Sequence, residues 1–324
     1  MQRPADADAP PARVPALHAG LRRRLDHYRG GDRGSLRRVR GSRTSMKTVL
    51  LPVAGLLGRL GACACLGAGA FGVSAATLPP SIPVGVYPSY PPLDMRDPAT
   101  GTLTGFDIEL GQALAKRMGT NFDLEETAFA QLVASVQTGR IALFLNGMND
   151  TAPRRELISF VDYLSSGSQF VVRAADAATY PSEASLCGRR VAGSRSTSLP
   201  GQVADWSKAH CEASGKPAIE FLGADNNIDA RSQLKQGRAD AMVQDSLTIP
   251  YVAAREPGTY AAVGQPFDVL VMGIGVDKTD KDLQGQLRAA LQGTIADGTY
   301  AALLRKWNLP ASSGVAEAVI DGGR

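Results

Sequence analysis

The sequence predicts an α/β protein of two lobes, each an open, mostly parallel sheet flanked by helices. Three observations carry that expectation. Short apolar runs alternate with segments of helical period through residues 77–324. The order strand, helix, strand recurs in two separate stretches, and the last stretch has too few apolar runs for a third sheet, so it must pack on one of the first two. The length of 324 residues also suits about two domains, at roughly 100–200 residues each.

Taken in order, Ile82 to Val86 is a short apolar run closed by the turn-rich segment Tyr87 to Pro92. Asp97 to Gly101 reads as a hairpin turn. Phe106, Leu110, Ala113, Leu114 and Met118 recur at helical spacing and predict a helix over Asp107 to Met118. Asp107 and Glu109 suit its positive end, Lys116 and Arg117 its negative end, and Gly119 its cap. Phe122 to Leu124 reads as a strand, Ala130 to Thr138 as a helix stopped by Gly139, and Ile141 to Leu145 as a buried parallel strand running into Asn146, Gly147, Met148 and Asn149.

The second unit repeats the plan. Arg190 to Gly193 is a strand leading into the small, polar Ser194 to Ser198; Gly201 to Ala213 is helical; Ile219 to Leu222 is a strand. Ile228 to Gln236 is a helix stopped by Gly237, and Ala239 to Val243 is a strand ending at Gln244 and Asp245. Met272 to Val276 and a helix through Leu283, Leu287, Leu291 and Ile295 remain. In such sheets ligands sit at the carboxyl ends of strands, so two facing units imply a cleft that captures a small polar molecule.

Composition narrows the function. With 44% apolar and 20% charged residues the chain has enough apolar surface for a core. Its net charge of +4 is misleading, because residues 1–45 hold 11 Lys and Arg against 4 Asp and Glu, while residues 77–324 hold 22 against 27. A body at −5 excludes nucleic-acid binding through a basic surface. Residues 1–45 are expected either to precede the native start, with the chain beginning at Met46, or to be a disordered basic arm. Residues 46–76 read as a signal peptide: Lys47, apolar stretches from Val49 to Leu57 and from Leu60 to Gly72, then Val73, Ser74, Ala75 and Ala76. Leu60-Gly61-Ala62-Cys63 also resembles a lipobox, which would anchor the protein to the membrane through Cys63.

Export leaves Cys187 and Cys211 as the cysteines of the mature chain, and an oxidising compartment favours a disulfide between them over a metal site. His210 is the one histidine after residue 76 and sits in a polar, helix-like stretch, so neither a metal cluster nor a Ser-His-Asp triad is expected, and no cofactor.

Several segments together carry a resemblance: Val84-Gly85-Val86 followed by Tyr90-Pro91-Pro92, Gly105-Phe106-Asp107-Ile108, Gly139-Arg140-Ile141, Gly147-Met148 with Thr151 and Arg154-Arg155, Phe160 with Asp162-Tyr163, Arg238-Ala239-Asp240-Ala241, Asp297-Gly298-Thr299-Tyr300 and Lys306-Trp307. From Pro83 to about Leu309 the chain resembles the family 3 periplasmic solute-binding proteins, the polar-amino-acid receptors of ABC importers. The resemblance implies a type II periplasmic-binding-protein fold with lobe 1 at 77–165 plus 270–324, lobe 2 at 166–269, and two crossover hinges near Tyr163 to Ser168 and Asp268 to Val271. It implies a periplasmic monomer that binds a polar amino acid, closes on it and delivers it to a membrane permease, without enzymatic activity. An exported prephenate or arogenate dehydratase on the same fold is the alternative.

Position by position, the resemblance implies that Arg154 grips the ligand α-carboxylate and Asp245 accepts from the α-ammonium. Tyr90 and Phe129 would sandwich the side chain, Gly147 and Asn149 would contact the ligand from lobe 1, and Thr197 and Ser198 from lobe 2 near a helix start. Read only as structure, Arg154 would instead pair with Glu156 or Asp150, Asp245 would cap the segment at Leu247 and Thr248, and Tyr90 and Phe129 would be core. Tyr87 stands where receptors of cationic amino acids carry an acid, and Arg195 either faces the cleft or lies on the solvent side. N-terminal sequencing of exported protein should find a mature start near Ala76 or Thr77; a start before Met46, or a lipid adduct on Cys63, would contradict that processing.

Overall fold

A computed structural model describes residues 78–323. The basic arm, the signal segment and Cys63 lie outside the described residues. Strand β1 (Ser81–Val86) leads into a small antiparallel meander of β2 (Ser89–Tyr90), β3 (Asp94–Arg96) and β4 (Leu103–Thr104). The expected turn at Asp97 joins β3 to β4, its carboxylate accepting from the amides of Ala99 and Thr100. Helix α1 (Phe106–Met118) ends on Gly119 at φ 69°, the left-handed cap foreseen for it. β5 (Asn121–Glu126), α2 (Leu132–Gln137), β6 (Leu143–Phe144) and the short α3 (Ala152–Arg155) complete the first unit.

β7 (Ser159–Arg173) then crosses to the second unit, which holds β8 (Arg190–Ser194), α4 (Leu199–His210), β9 (Glu220–Ala224), α5 (Asn227–Lys235), β10 (Ala241–Asp245) and α6 (Thr248–Arg255). β11 (Tyr260–Val276) returns, and α7 (Lys281–Ala296), α8 (Thr299–Lys306) and β12 (Gly314–Ile320) pack back on the first unit. Among the described residues no helix is long and apolar enough to cross a membrane.

The main sheet runs β5-β1-β6-β11-β7-β10-β8-β9, with β12 also pairing β7. β5, β1 and β6 are mutually parallel at one end, and β10, β8 and β9 at the other. The two expected sheets are therefore joined into one, because the two crossovers are not loops but the middles of long antiparallel strands, β7 and β11. Their ladder slips register between Val263 and Phe267, between Phe267 and Leu270, and once more between Met272 and Gly273. Pro266, which has no N–H to give, and Asp268, held at φ 50°, account for the first two slips.

Helices cover both faces at each end. Leu110 and Leu114 of α1 meet Leu287 and Leu291 of α7 on one face of the first unit, and Leu132 and Val136 of α2 meet Phe144 and Phe160 on the other. In the second unit Val203 of α4 packs with Phe170 and Val191, while Leu234 of α5 packs with Val171 and Met242 on the opposite face. Burial on both faces explains why these strands read as continuous apolar runs rather than alternating ones.

Four elements or boundaries differ from expectation. The strand expected over Ile141 to Leu145 pairs only at Leu143 and Phe144, since β1 offers it just two partners. The helix expected from Ala130 begins as a 3-10 turn, Phe129–Gln131, before α2. α4 starts at Leu199, earlier than Gly201, because Pro200 is well suited to a first helical turn. Asp107 stands in the first turn of α1, as expected, and is in addition fully buried, accepting a hydrogen bond from the Tyr163 hydroxyl 2.9 Å away. β12, with Ala318 turned into the core, was not anticipated.

Cys187 and Cys211 are joined by a disulfide that ties the segment before β8 to the end of α4. The bridge closes a loop of 24 residues, so replacing both cysteines by serine should lower unfolding stability by about 3 kcal/mol in a denaturant titration. An unchanged midpoint would contradict a structural role.

Candidate functional site

The carboxyl ends of β1, β6, β8 and β10, and the middle of β7, converge on one cavity of about 690 Å³ including its mouth. This is the place where parallel strands leave room for a ligand. All eight residues singled out in the sequence line it: Tyr90, Phe129, Gly147 and Asn149 with Arg154 from the first unit, and Thr197, Ser198 and Asp245 from the second.

Gly147 must be glycine. Its φ is +67°, and a Cβ there would stand 2.4 Å from the Tyr90 ring. Its N–H donates to the Tyr163 hydroxyl at 2.8 Å, which donates in turn to Asp107. A buried chain of hydrogen bonds thus fixes the loop after β6 against β7 and the start of α1. Burial raises Asp107 well above the usual carboxylate range, with Asp94 adding to the effect. Asp94 accepts the Tyr87 amide and is itself pushed to about 7 by burial.

Arg154 donates through Nη1 to the Asn149 carbonyl at 2.8 Å, and its guanidinium carbon lies 5.8 Å from the centre of the Phe129 ring. Neither of the carboxylates considered for it pairs with it. Asp150, buried beside Asp162, is taken by Nε of Arg155. Glu156 contributes instead its backbone carbonyl, to Lys278. Among the described residues no carboxylate forms an ion pair with Arg154. Desolvation pulls its pKa down, partly offset by Asp150.

Asp245 mirrors it across the cavity. Burial raises its carboxyl to about 6, against the opposing pull of hydrogen bonds from the Ser166 hydroxyl, the Leu247 amide, the Tyr90 hydroxyl and the Thr248 amide. The Leu247 bond, 2.9 Å long, is the capping contact considered for Asp245 as a purely structural residue, so the group braces the start of α6 and faces the cavity together. Tyr90 is held far above the usual phenol range by burial first and by Asp245 second, and remains a protonated donor.

Thr197 donates to the Ser194 carbonyl at 2.8 Å and accepts the Leu199 amide at 3.2 Å, ordering the entry to α4. The Ser198 hydroxyl receives Nδ2 of Asn149 at 2.8 Å, a bond between the two units across the cavity, and donates to Gln202 at 3.1 Å.

Sequence reasoning did not find Gln202, Ser166, Ser168, Asn226 or Asn227, which also line the cavity. Gln202 binds Ser168 and Ser198 and reaches the Asp268 carbonyl in β11, so it links α4 to the place where the β7–β11 ladder slips. A buried glutamine inside a helix leaves no periodic signal; its only mark is a polar residue on an otherwise apolar stripe. Tyr87 does line the cavity, its ring edge-on to Phe129 at 6.2 Å. Arg195 lies on the solvent side and pairs with Asp225. His210 is exposed and stacks on Trp206 at 4.7 Å between ring centres, away from the cavity. Among the described residues no three metal-ligating side chains come together.

The sequence model of the bacterial extracellular solute-binding proteins, family 3, matches residues 82–310. The arginine-binding protein ArgT of Corynebacterium glutamicum is 31% identical over 225 residues, which are 69% of this chain and 73% of that protein. Among solved structures, an ancestral arginine-binding protein bound to arginine superposes with a TM-score of 0.63 at 28% identity, over 71% of this chain and 98% of that one. An ancestral amino acid-binding protein described as a precursor of cyclohexadienyl dehydratase superposes with a TM-score of 0.60 at 27% identity, over 70% and 95% of the two chains.

Tyr163→Phe removes the one hydroxyl that serves both Gly147 and Asp107. It should cost about 1–3 kcal/mol in a denaturant titration, the penalty of leaving buried polar groups unpaired. A stability equal to wild type would show that the chain of hydrogen bonds does not hold the loop.

Proposed function

The chain belongs to the bacterial extracellular solute-binding proteins, family 3, and from that premise and its cavity we propose that it captures a polar amino acid outside the cytoplasm for an ABC importer. The observation that carries this reading is the pair of opposite, desolvated charges facing one cavity. Arg154 has no carboxylate partner among the described residues, and Asp245 is raised to about 6 by burial. Two such groups are costly apart and are relieved together by a zwitterion.

In this reading the guanidinium of Arg154 takes the α-carboxylate in a planar fork, supported by the backbone amides at Thr197 and Ser198 where α4 begins. Asp245 takes the α-ammonium. Tyr90 and Phe129 wall the side chain, and Gly147 and Asn149 complete the contact from the first unit. Lobe 1 is assigned to 77–165 plus 270–324 and lobe 2 to 166–269, with the slipped ladder at Val263 to Leu270 as the hinge. A ligand that touches both lobes stabilises the closed form by its differential contacts. The protein then acts as an exported, periplasmic monomer whose closed form is what the permease recognises.

ArgT's name states arginine as its ligand, and an amino acid is what this chain shares with it in our reading. Catalysis is not part of the proposal. Asp245 is the one carboxyl among the lining residues, and its hydrogen bonds from Leu247 and Thr248 suit a fixed acceptor rather than a proton donor. Incubation with prephenate and arogenate should give no phenylpyruvate or phenylalanine, and multiple turnover would contradict the reading.

Arg154→Ala and Asp245→Ala should each cost on the order of 2–5 kcal/mol of binding, about thirty- to several-thousand-fold in affinity by calorimetry. Wild-type affinity in either variant would remove that residue from the site. The pH dependence follows from Asp245. A carboxyl that is protonated below about 6 in the free protein must lose its proton to accept an ammonium group. Affinity should therefore be flat above pH about 7 and fall toward tenfold per unit below 6. An affinity that holds constant down to pH 5 would contradict the assignment.

A further inference from the structure

The charge inventory of the cavity goes further than the capture of an amino acid. Of all the residues that line it, only Arg154 and Asp245 carry formal charges. The remainder are hydroxyls and carboxamides, with Tyr87, Tyr90 and Phe129 as aromatic walls and Leu199 and Met272 as apolar ones.

We propose that the ligand is an amino acid with an uncharged, hydrogen-bonding side chain, a carboxamide or a hydroxyl, and that the cavity discriminates against the cationic side chains of arginine and lysine. The inference rests on the reading of Arg154 and Asp245 given above. If those two groups take the α-carboxylate and α-ammonium, no charge remains in the lining for a third ligand charge.

A cationic side chain would enter with no counter-ion, because Asp245, the one carboxyl of the lining, is already taken by the α-ammonium. Removing a charge from water without a partner is far more costly than removing a neutral polar group. The other buried carboxyls of the first unit are not in the lining and have partners of their own: Asp94 with the Tyr87 amide, Asp107 with Tyr163, Asp150 with Arg155 and Asp162 with the Gly322 amide. An anionic side chain fares no better. The nearest arginine in sequence to the Ser196 to Ser198 loop, Arg195, is held outside the cavity by Asp225 and the Gly223 carbonyl.

The walls instead offer acceptors to a neutral donor. Asn149 and Asn227 both belong to the lining, and the side-chain oxygen of each is buried without a hydrogen-bond donor in the protein. A carboxamide N–H or a hydroxyl can satisfy such an oxygen at no cost in unbalanced charge.

The test is calorimetry at pH 7.5 on the purified protein with L-glutamine, L-asparagine, L-serine, L-threonine, L-arginine, L-lysine and L-glutamate. At least one of the four neutral amino acids should bind about a hundredfold or more tighter than any charged one. Arginine or lysine binding as tightly as the best neutral ligand would overturn the inference. If that binding is still lost in Arg154→Ala, the zwitterion reading survives while the neutral-side-chain reading fails. No binding by any of the seven would overturn both.

Asn227→Asp is the complementary arm. It is nearly isosteric, adds one carboxylate to the lining, and sits in the first turn of α5, where a negative charge is tolerated. With an unchanged melting profile establishing that it folds, it should gain about tenfold or more in arginine or lysine affinity and weaken for the neutral ligand. A folded variant with no gain for either cation would contradict control of selectivity by the charge inventory.

Discussion

Two strands carry both halves of the sheet, and the geometry of the site depends on their ladder. β7 and β11 run antiparallel through the whole molecule, β7 pairing β10 at one end, β11 pairing β6 at the other and β12 packing beside β7. Where Pro266 interrupts the ladder the register slips, and the two parallel sets of strands are free to differ in orientation there. The same stretch of β7 places Ser166, Gly167 and Ser168 in the cavity wall. The place where the sheet is weakest as a sheet is therefore the floor of the site, and Gln202 ties the helix above it to the Asp268 carbonyl. In the proposed reading a ligand held between the two halves bridges this irregular stretch of the ladder.

Electrostatics gives that arrangement its use. Most buried carboxyls here are answered by the protein: Asp107 by Tyr163, Asp150 by Arg155, Asp162 by the Gly322 amide. Arg154 and Asp245 stand apart because they line the cavity, and the partners they have there are neutral, a carbonyl and an aromatic face for one, hydroxyls and amides for the other. Neutral partners orient a charge without cancelling it. In the proposed reading such a site is preorganised for opposite charges arriving on one small molecule, whose binding offsets the cost of burying the two groups.

Much of this was legible in the chain. The apolar runs at Ile82 to Val86 and Ala239 to Val243, and the helical stripe of Phe106, Leu110 and Leu114, announced their elements because burial on one or two faces imposes a period. The eight site residues came from segments that match a family pattern, and all eight meet in one cavity. What escaped depends on contacts distant in sequence. Asp107 looks like a helix-end acid until Tyr163, 56 residues away, buries it. The joining of two sheets into one is set by the pairing of β7 with β11, which no local period encodes. Gln202, Asn226 and Asn227 face the cavity because α4 and α5 begin there, and polar residues at helix starts look alike whether they face solvent or a ligand.

In the proposed reading both ends of a zwitterion are held at once, one by Arg154 and one by Asp245. It is tested most directly by titrating the protein with the amino acid that shifts its melting temperature most, then with the N-acetyl and the methyl ester derivatives of that same amino acid. Each derivative removes one charge and leaves the side chain unaltered. Each derivative should lose about a hundredfold or more in affinity; binding of either one within a few-fold of the parent would contradict the double hold on the zwitterion.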